Sequence, residues 1–412
     1  MNYELFLAKR IIKDKKYKNS VSTPIIKIAI LAIILGMTIM LIAIGVGLGL
    51  QEKIREKLSG FNGHIQIVNF DANNSDITLI PISKNQDFYP NFPTIEGIKT
   101  IQPYATKPGI IRTETDFEGI LAKGIDSTYN WDFFKEILVE GRLPNYSGKR
   151  MNQEVLISKK ISDRLGINLG EKFNTFFIKE NLNKPPNVRV FNVVGIYEAN
   201  LEELDKNVII TDIRQIQRMN KWKSDEVGGF EVFVDDFNTL QQKNNEIYET
   251  IDSDLNAISI IDKYTNIIEW IELFDKNIIV LISIMILIAG INMITALLVL
   301  ILEKTSMIGV LKALGSTNWS IRKVFLYNAT YLILIGLFWG NVIGLGALFI
   351  QEQFQLITLD PKTYYVKSAP VFIEWYHILL LNAGTLLLCF IMMLLPSYII
   401  TKVNPIKAIK FQ

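Results

Sequence analysis

The stretch Ile28-AILAIILGMTIMLIAIGVGLG-Leu50 decides the fold class, because it is long, apolar and free of charge. About 20 apolar residues suffice to cross a hydrocarbon core about 30 Å thick. Three further stretches share this character: Ile278 to Leu302, Val324 to Ile350 and Ile378 to Ile400. One central Lys, Arg or Asp would cost about 2.5–3.5 kcal/mol on insertion, and none is present. The first stretch is no signal peptide. Its run exceeds the roughly 7–15 residues of a signal core, and polar helix, Gln51 to Leu58, follows instead of an A-x-A-like cleavage site.

Charge sets the expected orientation. Lys9, Arg10, Lys13, Lys15, Lys16, Lys18 and Lys27 precede the first span, against Glu4 and Asp14. The loop after the second span holds Lys304, Lys312, Arg322 and Lys323 against Glu303, and the tail holds Lys402, Lys407 and Lys410. The positive-inside rule puts both termini and the 303–323 loop in the cytoplasm. The expected order is a cytoplasmic amphipathic helix (1–24), a first span (25–50), an outer domain with stalk helices (51–276) and a second span (277–302). A cytoplasmic loop (303–323), a third span (324–350), a short outer loop (351–376), a fourth span (377–400) and a cytoplasmic tail (401–412) follow. Residues 2–18 suit the headgroup layer, where lysines face anionic lipid.

The outer segment reads as α+β. Residues 64–67 and 231–234 alternate as strands do, residues 154–157, 173–178, 191–197 and 208–210 read as further strands, and short helices are expected at 159–165 and 213–219. Two subdomains dividing near residue 150 and rejoining after about 225 are expected, on a stalk whose first helix ends at Gly60. The fold class is therefore four transmembrane helices plus an α+β extracytoplasmic domain of two subdomains on a helical stalk. The lone Cys389 lies in the fourth span, so this domain is held by its core without disulfides.

Several function classes drop out. Formal net charge is +2, from 43 basic and 41 acidic residues, which points to no nucleic acid. No G-x-x-x-x-G-K-[ST] occurs, and Gly45-Val-Gly-Leu-Gly49 spaces its glycines wrongly for a dinucleotide. With two histidines and one buried thiol there is no credible metal or catalytic cluster. Gly336, Gly340 and Gly344 recur four apart, as do Gly45 and Gly49; such faces serve close helix packing, within the chain or between subunits.

The 303–323 loop is the most informative. Ile308, Leu311 and Leu314 form an apolar side of a short helix stopped by Gly315, fit to receive force from a cytoplasmic partner. Between strand-like runs, Lys179-ENLNKPP-Asn187 has the makings of a proline-stiffened hairpin tip.

Met307-IGVLKAL-Gly315 resembles the E-I-G-I-L-R-A-L-G signature of the FtsX/MacB-type ABC permeases, although Met307 replaces the acid and Glu303 stands nearby. Val403-NPIKAIK-Phe411 resembles their C-terminal ending. Phe61-NGH-Ile65 and Phe191-NVVGIY-Glu198, with Leu204-DKNVI-Ile210, resemble the lipoprotein-releasing LolC/LolE branch. The resemblance spans nearly the whole chain. It implies an inner-membrane permease that extracts lipoproteins and hands them to a LolA-like periplasmic carrier. It also implies a second permease subunit, identical or paralogous, and a separate LolD-like ATPase dimer that binds ATP and Mg. This chain would then be no enzyme and hold no cofactor.

By that analogy, Glu303, Lys304, Met307, Ile308, Gly309, Leu311, Lys312, Ala313, Leu314, Gly315 and Ser316 couple to the ATPase. A lipid or substrate cavity is assigned to Met37, Met40, Leu41, Ile44 and Leu48 of the first span and to Phe274, Ile278, Ile282 and Met285 of the second, since methionine adapts to irregular apolar guests. Lys179, Leu182, Lys184, Pro185 and Pro186 stand where the carrier-catching loop lies, with no recognisable sequence match. The alternatives are MacB-like mechanotransmission or efflux, whose ATPase would be fused at the N-terminus, and an FtsX-like scaffold activating a cell-wall hydrolase.

Overall fold

The computed structural model describes residues 3–13, 22–72, 76–177, 179 and 185–403. Among them, four helices are long and apolar enough to cross a membrane: Ser22–Asn62, Thr265–Glu303, Asn318–Phe354 and Trp375–Ser397. The chain forms two compact units, one built on these spans and the other on residues 52–270 with 359–367.

In the spanning unit, small residues let helices close on one another. A Cβ added at Gly336, Gly340 or Gly344 would sit 2.7, 2.6 or 2.8 Å from Ile33, Met37 or Leu41 of the first span. No side chain fits there, so this stripe is used for packing within the chain. Gly45 and Gly49 do likewise on the outer loop: the Gly45 carbonyl accepts the Phe372 N–H at 2.9 Å, and a Cβ at Gly49 would meet the Pro370 carbonyl at 2.6 Å. Gln51 donates to Asp275 at 2.7 Å, tying the first two spans. Tyr327 and Tyr331 towards one end of the third span, and Trp375 and Tyr376 at the start of the fourth, are exposed, as aromatic belts at membrane interfaces require.

The helix Ser22–Asn62 runs two residues past the expected stop at Gly60. Gly63 ends it, at φ 71°, where a Cβ would also press on Glu231 at 2.8 Å. The outer unit then supplies strands β1 (Ile65–Asn69), β2 (Ile82–Ser83), β3 (Ile98–Arg112), β4 (Phe117–Ile125), β5 (Leu138–Gly141), β6 (Glu154–Ser158), β7 (Lys172–Phe177), β8 (Asn187–Tyr197), β9 (Val208–Asp212), β10 (Glu226–Val227), β11 (Gly229–Val234) and β12 (Leu255–Ser259).

Two parts emerge from their pairing. β3, β4, β9, β6, β8 and β7 pair in turn, and β7 pairs back to β3, so six strands close into a ring. Phe177 and Phe191, neither exposed, lie edge to face at 6.3 Å in its core. Closure leaves these strands no free edge. An open arm of β11, β1 and β12 extends from the first half of β3. β3 thus belongs to both parts: its residues 98–104 pair with β11 and its residues 104–112 with β4, so the division falls within β3 at Tyr104, earlier than the expected residue 150. The segment 359–367 joins this unit through Lys57, which donates to the Ala199 and Tyr365 carbonyls at 2.6 and 2.7 Å, and through a Lys367–Glu198 ion pair at 2.6 Å.

Candidate functional site

The segment after the second span forms the helix Thr305–Ala313, and Gly315 turns the chain at φ 91°. Its two sides differ. Ile308, Gly309 and Leu311 are buried, while Val310, Leu314 and Trp319 are 44%, 78% and 51% exposed. The expected apolar side is thereby corrected. Leu314 lies beyond the last helical residue, at φ −79° and ψ 2°, so it leaves the row of Ile308 and Leu311 and points outward. Those two belong to the core of the spanning unit.

Lys312 is also structural. Its ammonium donates to the carbonyls of Ile400, Thr401 and Val403 at 2.8, 3.2 and 2.9 Å, closing the acceptors that a helix end leaves open. Pro396 interrupts the fourth span's hydrogen bonding, and Arg322 donates to the Leu394 carbonyl and the Ser397 hydroxyl there. Met307 packs beside Ala8, Ile11 and Val324, so the helix Tyr3–Lys13 braces this segment. The Glu4 carboxylate accepts from Ser320 at 3.0 Å. Glu303, Ala313, Leu314 and Gly315 remain exposed, and Lys304 and Ser316 are partly so. Val310 and Trp319 were absent from the expected set. They fall outside the periodicity used to choose it, and their exposure is seen only in the folded segment.

The expected cavity residues separate. Met37, Met40 and Leu41 are at most 1% exposed, and Met37 and Leu41 abut Gly340 and Gly344; these three are helix packing, which corrects their assignment. Ile44 and Ile282 do meet, in an apolar cleft of about 250 Å³ shared with Ile286, Leu380, Leu381, Gly384 and His377. Leu48, Phe274, Ile278 and Met285 are half-buried.

At the hairpin, β7 and β8 pair from Lys172–Asn192 to Phe177–Asn187. Lys179 is half-buried and Pro185 and Pro186 are exposed, while Leu182 and Lys184 lie outside the described residues. Ile110, Phe176 and Val188 face one another across β3, β7 and β8. Phe117, Val188 and Val190 are 74%, 46% and 40% exposed, so the ring carries an apolar outer face beside the hairpin.

Comparison with known proteins gives two family matches. Residues 28–249, more than half of the chain, match the MacB-like periplasmic core domain, and residues 279–405 match the FtsX-like permease C-terminal. Among curated relatives, the lipoprotein-releasing system transmembrane protein LolC of Neisseria meningitidis serogroup B is 21% identical over 99% of both chains. LolE of Haemophilus influenzae is 19% identical over 98% of both. The periplasmic region of MacB from Actinobacillus actinomycetemcomitans covers 51% of this chain and 95% of its own, at 17% identity and TM-score 0.33. The chain belongs to the FtsX/MacB-type permeases of ABC transporters, with a MacB-like periplasmic core domain and an FtsX-like permease C-terminal region.

Proposed function

We propose that the chain is the permease subunit of an ATP-driven transporter that extracts lipoproteins from the inner membrane and passes them to a periplasmic carrier. The observation that carries this reading is end-to-end similarity to relatives named for lipoprotein release, over 92–99% of this chain for LolC and LolE proteins. Both termini and the 303–323 loop lie in the cytoplasm. There, Val310, Leu314 and Trp319, exposed and apolar, dock a separate ATPase that binds ATP and Mg, and a second permease subunit completes the complex.

Work has to be done on such a cargo. Burial holds an acyl chain in the bilayer by about 0.8 kcal/mol per CH₂, so extraction needs coupled hydrolysis. The cleft at Ile44 and Ile282, with Leu48, Phe274, Ile278 and Met285 nearby, offers acyl chains an apolar path. The β7–β8 hairpin and the apolar face at Val188 and Val190 receive the carrier, since binding residues concentrate on loops held by a rigid scaffold.

Depletion of the protein tests the reading as a whole. Lipoproteins are expected to accumulate in the inner membrane, read by membrane fractionation and quantitative proteomics. Unchanged lipoprotein distribution would sink it.

A further inference from the structure

Between the third and fourth spans the chain doubles back on itself. The Leu359 N–H donates to the Lys367 carbonyl and the Ala369 N–H to the Ile357 carbonyl, each at 3.0 Å, and Thr358 is bridged to Ser368. The two limbs are thereby paired, and the tip is one short helix, Pro361–Tyr364, capped by Asp360. Residues 359–367 belong to the outer unit, although both limbs run back into spans.

Three elements of that unit hold the tip. Lys57 of the first long helix donates to the Tyr365 carbonyl at 2.7 Å and, with the same ammonium, to the Ala199 carbonyl at 2.6 Å. Trp270 of the second long helix meets the Tyr365 ring edge to face at 5.5 Å. Glu198, beside Ala199, pairs with Lys367 at 2.6 Å. Tyr365 therefore touches both long helices, one through its carbonyl and the other through its ring.

The backbone enters the left-handed region at both carbonyls that Lys57 grips. Tyr365 stands at φ 60°, and Asn200, next to Ala199, at φ 57°. Asparagine adopts this region at little cost, whereas a bulky residue there is an outlier. Such conformations persist only where the surroundings impose them, and they gather at clamps and switches. Asp205 supplies part of that constraint by accepting the Ala199 N–H at 2.9 Å. Little hydrocarbon secures the tip, since only Val366 among residues 359–367 is buried. A few polar bonds and one ring contact hold it, and each can be broken without opening a core.

We propose that the 359–367 segment is a releasable strap that sets the spacing of the two long helices in the outer unit, with Lys57 as its clasp. Its limbs continue into the third and fourth spans, so displacement of those spans pulls on the clasp and lets the helices part. The device does not rest on the transport reading.

The test uses the full-length protein in detergent micelles, spin-labelled through Glu52→Cys and Glu269→Cys. Both positions are exposed, one on each long helix within the outer unit, and Cys389 is buried. With Lys57 in place, pulsed electron spin resonance should read one narrow distance. Lys57→Met keeps the stem and loses the donors; it should raise the released population about tenfold, so that a second, longer distance appears. Trypsin cleavage after Lys362, which is exposed on the tip, should quicken by a similar factor. Tyr365→Gly is the second variant. Glycine occupies φ 60° without strain and keeps the carbonyl for Lys57, so a longer distance there reports the lost ring contact with Trp270. A distance unchanged in both variants overturns the proposal, whether or not cleavage quickens, because the segment would then be a loop that rests on the helices without setting their spacing.

Discussion

In the spanning unit, helices approach because Gly336, Gly340 and Gly344 offer nothing to keep Ile33, Met37 and Leu41 away. At the ring–arm junction of the outer unit, by contrast, a lysine and a glutamate, Lys123 and Glu231, meet in the interior. Lipid tails are as apolar as leucine, so within a bilayer close fit does the work that water exclusion does elsewhere. In water, burying hydrocarbon is favourable by itself, and a buried ion pair adds direction at a cost in stability. One unit is specified by missing atoms and the other by atoms that tolerate only one arrangement.

Four experiments bear on that contrast. The largest effect is expected from Gly340→Leu, whose Cβ alone would sit 2.6 Å from Met37 Cβ. Inserting extra methylenes into a packed core already costs about 1–3 kcal/mol; here a whole leucine side chain enters where its first carbon has no room, so the spans should fail to assemble, with at least a tenfold loss in yield of monodisperse protein. A normal size-exclusion profile would show that the spans do not depend on this approach.

The next test addresses the other side. Lys123→Met leaves a buried carboxylate unpaired and should destabilise the protein by about 3–5 kcal/mol in chemical denaturation. Lys123→Met combined with Glu231→Leu should recover most of that loss. If the double variant is as unstable as the single one, the pair contributes net stability and the contrast weakens.

The third experiment asks where the close fit of the spanning unit stops. Leu314→Asp and Val310→Asp alter exposed residues, so folding should be kept while co-purification of the ATPase falls about tenfold, equivalent to roughly 1.4 kcal/mol. Leu311→Asp places a charge in the core and should instead lower the yield of the folded permease. Normal ATPase recovery with both exposed substitutions would remove the docking assignment.

The fourth test is a pH dependence in the outer unit. His64 accepts the Val234 N–H through Nδ1 at 3.3 Å, and burial, with Lys99 nearby, lowers its pKa to about 4. As pH falls below the ordinary value of 6.5 the unfolded chain takes up a proton first, so stability present above that value is lost towards pH 4. The loss is on the order of 1–3 kcal/mol. His64→Asn keeps an acceptor and should flatten the fall in Tm between pH 7 and pH 4.5, relative to the unaltered protein. Parallel pH profiles for the two proteins would refute the assignment.

Much of this architecture is legible in the sequence, for local reasons. Spans announce themselves by uncharged length, and Glu154–Ser158 with Lys159–Leu165 shows a short apolar run, a helix and its glycine stop in close succession. β3 does not, because IKTIQPYATKPGIIR contains Pro103, Pro108 and Gly109, residues that argue against a strand unless it bends or is shared. Missing it hides the ring closure and the true division. Leu314 was misread because periodicity was carried one residue past the end of a helix. Lys123 and Glu231 stand on strands far apart in the chain, and the only local trace is a lysine amid the apolar run GILAKGI of β4.

The grip of Lys312 on the end of the fourth span has a consequence for how the protein is made. Its three acceptors lie 88, 89 and 91 residues downstream, an interval that a ribosome covers in about 5–20 s. Until Val403 has emerged, the segment at 305–313 lacks the clamp that fixes it. A nascent or truncated permease therefore presents its exposed leucine on an unanchored helix, and the proposed ATPase seat is finished only after the last span is in place. Assembly order is written into a single ammonium group.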